Sequence, residues 1–503
     1  MPPASRGGRS ILTVLSLLCA FFCATSEGRL LKLPRLLSIP VIQNREFALG
    51  KQAEQHDTLG FLGDPHFDRT SQGKGKSTDA SPHEGPQLNT SSTTQRSAQA
   101  DKRSLRQKLE YQNLHGGSPG NIKRRSELGQ TFGLFPYLPA LFAFGDSDFD
   151  LGNTLYLNVT PYKATKYAPY GESYKGGDAL RGRFCDGLLV PDFLAEGLGL
   201  PILPPNFAPN ASFSHGTSFA VSGSGLLNAT RNMHNPAIKT HLFAQVENFL
   251  AFQEASIDYW AQHADNPPLA PQYPPPSAFA KALYMVLVGA NDVLKFMVVQ
   301  HGKPGPAADV FVEEMTAMYG QFVKAIYAAG GRNFVLFSLG NIGCSPLARQ
   351  INNGTCSPTV SSICSSLAAA TAALPARLAA SVPDARILVG DMFGFNREVE
   401  GDPSRFGVTN IVDACCGGGV PGLGNTYTTC ADEKPATVNG VTYPRKVCSN
   451  PGTYQFWDQF HLTQAMNRQL SHEVLRGSSW VYPGNILKTF VVPQIESTYG
   501  VAP

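Results

Sequence analysis

The stretch ALFAFGDSDFDLGN, residues 140–153, decides the fold. Residues 140–145 form a short apolar run that ends on Gly-Asp-Ser. A run this short, without polar alternation, suits a strand buried on both faces that opens into a loop. The pattern recurs downstream. LYMVLV (283–288) closes on Gly289-Ala290-Asn291-Asp292, NFVLFSL (333–339) is a third run, and ARILVG (385–390) a fourth. Helical spacing lies between them. Leu188, Val190, Phe193, Leu194 and Leu198 share one face within 187–200; Phe311, Met315, Met318, Phe322, Ile326 and Tyr327 do so within 310–329, before Gly330-Gly331. Residues 361–381 predict an Ala-rich helix and 464–476 a final one. Strand alternating with helix predicts an α/β domain, three-layer α/β/α with a mostly parallel central sheet. Ligands of such sheets sit beyond the carboxyl ends of the strands. Ser147 and Asn291 each fall just past a strand, so both are expected to face one crevice.

This domain is expected to span residues 136–503 of the 503. Hydrophobic residues at 42% and charged residues at 16% suit a globular body. With 41 Lys and Arg against 38 Asp and Glu, the chain gives no reason to expect nucleic acid as a partner.

The amino terminus reads differently. Arg6 and Arg9 precede an apolar run from Ile11 to Ala24, and Ala24 and Ser26 stand at −3 and −1 of a cut. This predicts a secretory signal peptide over 1–26. A membrane anchor is the other reading, but the run is well short of the ~20 residues a bilayer needs. No later stretch is read as long and apolar enough to span, so a secreted protein without stable membrane insertion is expected. Residues 27–135 are polar, low in complexity and without sustained period, apart from a short helix expected at Leu30–Leu37. Residues 29–135 carry 16 Lys and Arg against 10 Asp and Glu. The basic clusters at 102–103 and 123–125 are either solvated charge or the cut site of a pro-segment.

Cys19 and Cys23 leave with the signal, and eight cysteines remain. An even set on an oxidising route predicts disulfides. Cys415 and Cys416 are adjacent, so they are expected to reach two different partners, with Cys430 and Cys448 downstream. A Cys415–Cys430 bridge would close about 15 residues, which stabilises by about 3 kcal/mol in the chain-entropy model. Cys344 and Cys356 are close enough for a local third bridge. Sequons at Asn89, Asn158, Asn210, Asn228 and Asn353 are candidate glycosylation sites. No His, Cys and carboxylate cluster has metal-ligand spacing, so neither metal nor cofactor is expected.

Chemistry gathers at the strand ends. A serine nucleophile needs a base, and the base an orienting acid. Asp458 and His461 stand three apart in WDQFHLT (457–463), just ahead of the last helix. That spacing lets the carboxylate turn back onto one ring nitrogen while the other faces the cleft. The Ser147 N–H, a glycine N–H from Gly223-Ser224-Gly225 and the Asn291 amide are candidate oxyanion donors. The elbow G-x-S-x-G is absent from the chain.

FAFGDSDFDLGN (142–153) resembles the first block of plant-type GDSL esterases/lipases, in the SGNH hydrolase superfamily. APYGESY (168–174), GRFCDGLLVPDFLAEGLGLP (182–201), SFAVSGSGLL (218–227), LVGAND (287–292), GRNFVLFSLGNIGCSP (331–346), VDACCGGG (412–419) and FWDQFHLTQAMNR (456–468) continue the resemblance in the family's order. It implies an SGNH, flavodoxin-like hydrolase fold acting on ester substrates. It makes Ser147 the nucleophile and an oxyanion donor, Gly223 and Asn291 the other two donors, His461 the base and Asp458 its partner. Asp146 and Asp292 are read as structural, holding Ser147 and Asn291. Cys185 and Cys364 stand where the resemblance gives no cysteine, and either pair or stay reduced.

Three positions depart from the pattern: Asp148 where the family has Leu, Leu462 where it has Pro, and Ser218 where it has Asn. An inward Asp148 would repel a developing oxyanion by about 1–4 kcal/mol, and an outward one would cost little. Two functions follow: a secreted serine esterase/lipase that hydrolyses or transfers acyl groups, or a secreted non-catalytic relative that binds a ligand or the cell wall.

Overall fold

The computed structural model describes residues 137–493 apart from 158–163, 175–180, 234, 236, 300–305 and 433. The expected signal peptide, the basic arm with its short helix, and the sequons at Asn89 and Asn158 lie outside the described residues.

Six strands form the central sheet: β1 (Leu141–Gly145), β2 (Gly216–Ser218), β3 (Leu283–Leu287), β4 (Asn333–Phe337), β5 (Arg386–Gly390) and β6 (Val481–Tyr482). Their order is β6-β5-β4-β3-β1-β2. All neighbours are parallel except β6, which runs antiparallel to β5 at the edge. The four expected runs are strands, each ending within two residues of its sequence reading. Nearly every residue of β1, β3, β4 and β5 is buried, the reason their sequences show no alternation.

Helices cover the sheet to make three layers. Helix Leu242–Gln262, which the sequence reading left out, presents Phe249 and Phe252 to β1. Phe142 meets Phe249 at 5.4 Å and Phe144 meets Phe322 at 5.1 Å, in edge-on geometry. Such pairs add about 0.5–1.5 kcal/mol each beyond burial. Val190–Leu198 packs against Gln464–Arg476. The Ala-rich helix runs Pro358–Leu378, three residues earlier than read, because Pro358 takes the first turn, where its missing N–H costs nothing. This helix is long and apolar enough in composition to cross a membrane, which corrects the expectation that no stretch after residue 26 is. Its stripe of Val360, Ile363, Leu367, Leu374 and Leu378 is buried, and it packs against helix Pro306–Ala328, as a core helix does.

Strand order places the crevice. The chain leaves β1 for β2 on one side, then crosses back past β1 to β3 on the other. Their carboxyl ends therefore flank the point where the topology reverses, the usual ligand position in an open α/β sheet.

Candidate active site

Ser147 lies two residues beyond β1, and the sharp exit needs Gly145. Its φ is +143°, and a Cβ there would stand 1.9 Å from the Leu287 carbonyl oxygen. Gln245 latches the same residue: its Nε2 donates to the Gly145 carbonyl at 2.7 Å and its Oε1 accepts from the Gly145 N–H at 2.8 Å.

The rest of the first block ties the serine loop to the second. The Asp150 carboxylate accepts from the N–H groups of Gly152, Asn153 and Ser222 at 2.6–2.8 Å, and from the Thr154 hydroxyl. Asn153 Nδ2 donates to the carbonyls of Ser218 and Ala220 at 2.7 and 2.9 Å. Ser218 keeps a tie of its own, its hydroxyl donating to the Phe149 carbonyl at 2.8 Å. Ser147 and Gly223 are thereby brought to one cleft. Gly223 has φ +78°, and its carbonyl accepts from Met233 N–H at 2.7 Å. Among the described residues, neither the Ser147 nor the Gly223 N–H is spent on a backbone or side-chain acceptor.

Asn291 opens the helix Ala290–Val299 just past β3. Its amide donates to the Ser224 carbonyl at 3.0 Å, which fixes the side chain and leaves a second N–H. Asp292 is structural, as the sequence suggested, but its bonds go to another loop than that of Asn291. Its carboxylate accepts from Leu226 and Leu227 N–H at 2.7 and 3.1 Å, so it anchors the Gly223 loop. Burial raises its pKa to about 6, against these bonds. Among the described residues, Asp146 accepts only the Asp148 N–H, at 3.4 Å, and burial first, then Asp148, pushes its pKa well up.

The other half comes from the loop before helix Gln464–Arg476, which a further helical turn, Leu487–Val491, follows. His461 Nε2 stands 2.8 Å from Ser147 Oγ, and Nδ1 stands 2.8 and 2.9 Å from the two Asp458 oxygens. Asp458 also accepts from the N–H groups of Phe460 and His461, both at 3.0 Å. Burial alone would raise the Asp458 pKa, but His461 and these bonds outweigh it and lower it. Burial disfavours the charged imidazole, yet the Asp458 carboxylate, joined by Asp148 and Asp146, carries the His461 pKa up to about 9. In the neutral ring, Nδ1–H donates to Asp458 and Nε2 is free to accept from the serine hydroxyl.

Residues that sequence reasoning missed brace this loop. The Tyr170 hydroxyl donates to Asp458 at 3.0 Å. The Phe184 ring lies 5.3 Å from the imidazole. The Cys185 thiol donates to the Leu462 carbonyl at 3.4 Å, and Asp186 accepts from Gln464 N–H at 2.7 Å. All four stand in the APYGESY and GRFCDG blocks, whose recurrence in the resemblance was the one signal available.

Disulfides fix the approach to it. Cys415 pairs with Cys448 and Cys416 with Cys430. The loop of about 15 residues is thus closed from Cys416, not from Cys415. These sulfurs pack with Tyr170 and Trp457 in one buried cluster. Cys344 pairs with Cys356, while Cys185 and Cys364 are free and buried. Cys344, Cys356 and Glu400 bring three ligand-type atoms together, but the two sulfurs are spent on each other. Asn210, Asn228 and Asn353 are exposed.

Ser147, Asp148, Gly223, Asn291, Asp458 and His461 line one cleft of about 1160 Å³. The Asp148 carboxylate acts on His461 from the same cleft. A hydroxyl, an imidazole and a carboxylate in hydrogen-bonded series, facing free N–H donors, can carry out acyl transfer.

A family model described as GDSL-like Lipase/Acylhydrolase matches residues 141–474. GDSL esterase/lipase 5 of Arabidopsis thaliana is 28% identical over 367 residues, covering 70% of this chain and 88% of that protein. GDSL esterase/lipase 1 of the same plant is 28% identical over 358 residues, 69% and 87% of the two chains. The plant's Inactive GDSL esterase/lipase-like protein 25 is 27% identical over 369 residues, 71% and 76%. The match runs from the first residue of β1 into helix Gln464–Arg476 and takes in every residue of the site, so the chain belongs to the GDSL-like lipase/acylhydrolase family.

Proposed function

We propose that this protein is a secreted serine esterase/lipase whose catalytic residues are Ser147, His461 and Asp458. The observation that carries the reading is the unbroken series from Asp458 through His461 to Ser147, with 2.8 Å at both joints. Ser147 Oγ attacks the ester carbonyl carbon as its proton passes to His461 Nε2. The carbonyl oxygen becomes an oxyanion that accepts from the Ser147 and Gly223 N–H groups and the spare Asn291 N–H. Collapse expels the alcohol oxygen, which takes the proton from Nε2 and leaves an acyl-serine. Water, or a second alcohol, gives its proton to His461 and attacks the acyl-serine, and Ser147 recovers its proton. Asp458 holds the tautomer and stabilises the imidazolium.

The basic start and short apolar run of 1–26 support secretion, and paired cysteines suit that route. The exposed sequons at Asn210, Asn228 and Asn353 are then expected to carry glycans.

The test is hydrolysis of p-nitrophenyl esters of graded chain length by the wild type and Ser147→Ala. The variant should fold normally and lose at least ~10³ in kcat. Activity within tenfold of wild type would remove Ser147 as nucleophile. A folded wild type inert toward every ester would favour the ligand-binding alternative, to which the relative named inactive lends weight.

A further inference from the structure

We propose that Asp148 makes this cleft an anionic subsite beside the reacting serine, so that its preferred ester carries a positive charge close to the scissile bond. This deepens the reading of Ser147 as nucleophile and rests on it. Asp148 follows Ser147 directly, lines the cleft with Ser147, Asn291 and His461, and has its carboxylate close enough to help raise the His461 pKa. The residue is only partly buried, so a ligand in the cleft can meet it. Its backbone N–H is held by Asp146, but among the described residues no Lys or Arg pairs with the carboxylate and no donor bonds to it.

Burial first, and then the Asp458 carboxylate, push the Asp148 pKa up; the favourable charge that reaches it and works against them comes from His461. That charge is lost when the imidazole is neutral, the form that works as a base. The ground state then holds two carboxylates, Asp148 and Asp458, with no fixed cation between them. The cations on the cleft wall do not fill that role. Arg445 Nη1 donates to the Cys430 and Asp432 carbonyls at 2.9 and 3.3 Å, and Lys434 stands exposed. Tyr167, Phe184 and Phe460 line the same cleft. Ring faces attract a cation within about 6 Å. A carboxylate with aromatic walls favours an ammonium over its uncharged isostere and disfavours an anion.

The probes are choline butyrate and its uncharged carbon isostere, 3,3-dimethylbutyl butyrate. Wild type should favour the choline ester at least ~tenfold in kcat/KM, and Asp148→Asn and Asp148→Leu should each cut that ratio at least ~fivefold. Both esters meet the same His461, so its protonation cancels in the ratio. A matched anionic ester, mono-butyl succinate, should be slower than dibutyl succinate on the wild type, a readout that needs no variant. A wild-type ratio below tenfold, a ratio that survives in either folded variant, or equal rates on the succinate pair would overturn the proposal. Equal hydrolysis of the two butyrates breaks the subsite alone, whereas no hydrolysis of any ester breaks the reading of Ser147.

Discussion

Ser147 and His461 meet across 2.8 Å, yet the regions that carry them are built in opposite ways. The serine side hangs on parallel strands. Register between β1 and β3 sets Gly145 against Leu287, and the residues beyond them inherit that placement. Among the described residues, the histidine side, 412–463, has two-residue and three-residue strands, one short 3-10 helix at Pro451–Thr453 and turns. Two disulfides and bonds from a distant block hold it instead. A sheet positions through many weak bonds that no single change removes. A stapled loop positions through a few contacts, each of which can be cut alone.

The comparison can be broken from either side. On the sheet side, Asn291→Ala should cost about 10²–10³ in kcat with little change in KM, as loss of one oxyanion donor does. Melting and steady-state kinetics on the folded variant check it, and a loss below tenfold would take Asn291 out of the oxyanion site.

On the loop side, Cys416→Ser removes the bridge that closes the shorter loop, whose chain-entropy worth is about 3 kcal/mol. Activity should fall about tenfold while the sheet stays folded, and mild reductant should do the same before circular dichroism changes. Simultaneous loss of both signals would show that the loop does not move separately from the sheet.

Tyr170→Phe takes away one hydrogen bond to Asp458 and nothing else. A few-fold fall in kcat at unchanged KM is expected. The less compensated carboxylate should also hold the imidazole proton more tightly, moving the activity limb to higher pH. An unmoved limb would make Tyr170 a packing residue only.

The smallest effect of a substitution is a shift of the pH profile. The base works neutral, so kcat/KM should rise with pH through the His461 value of about 9. Asp148 and Asp146 help to raise that value, so Asp148→Asn should move the limb to lower pH. A wild-type profile flat from pH 5 to 10 would remove His461 from the mechanism.

The same contrast explains what the sequence showed. Strands β1, β3, β4 and β5 were legible because both faces are buried and the apolar runs are unbroken. Ser147 and Asn291 were legible because each ends such a run. Asp458 and His461 were legible because their contact is local, three residues apart. What escaped was long-range. Tyr170 and Asp458 are 288 residues apart, and Asp186 and Gln464 are 278 apart, so no spacing rule joins them. Asp292 was misplaced for the same reason: its partners Leu226 and Leu227 lie in another block. Helix Leu242–Gln262 escaped because Gln245 and Ser256 stand on its buried face and blur the apolar period. Adjacency sent Cys415 and Cys416 to different partners, but only the fold distinguished Cys448 from Cys430.

The central claim is that His461, held by Asp458, activates Ser147. Fluorophosphonate labelling followed by peptide mapping tests it most directly, because the phosphonyl group transfers to an activated serine as fluoride leaves. The account predicts one adduct, on Ser147, formed rapidly by the wild type and at least ~10³ more slowly by a folded His461→Ala variant. An adduct on another serine, or equal labelling in the two proteins, would contradict it.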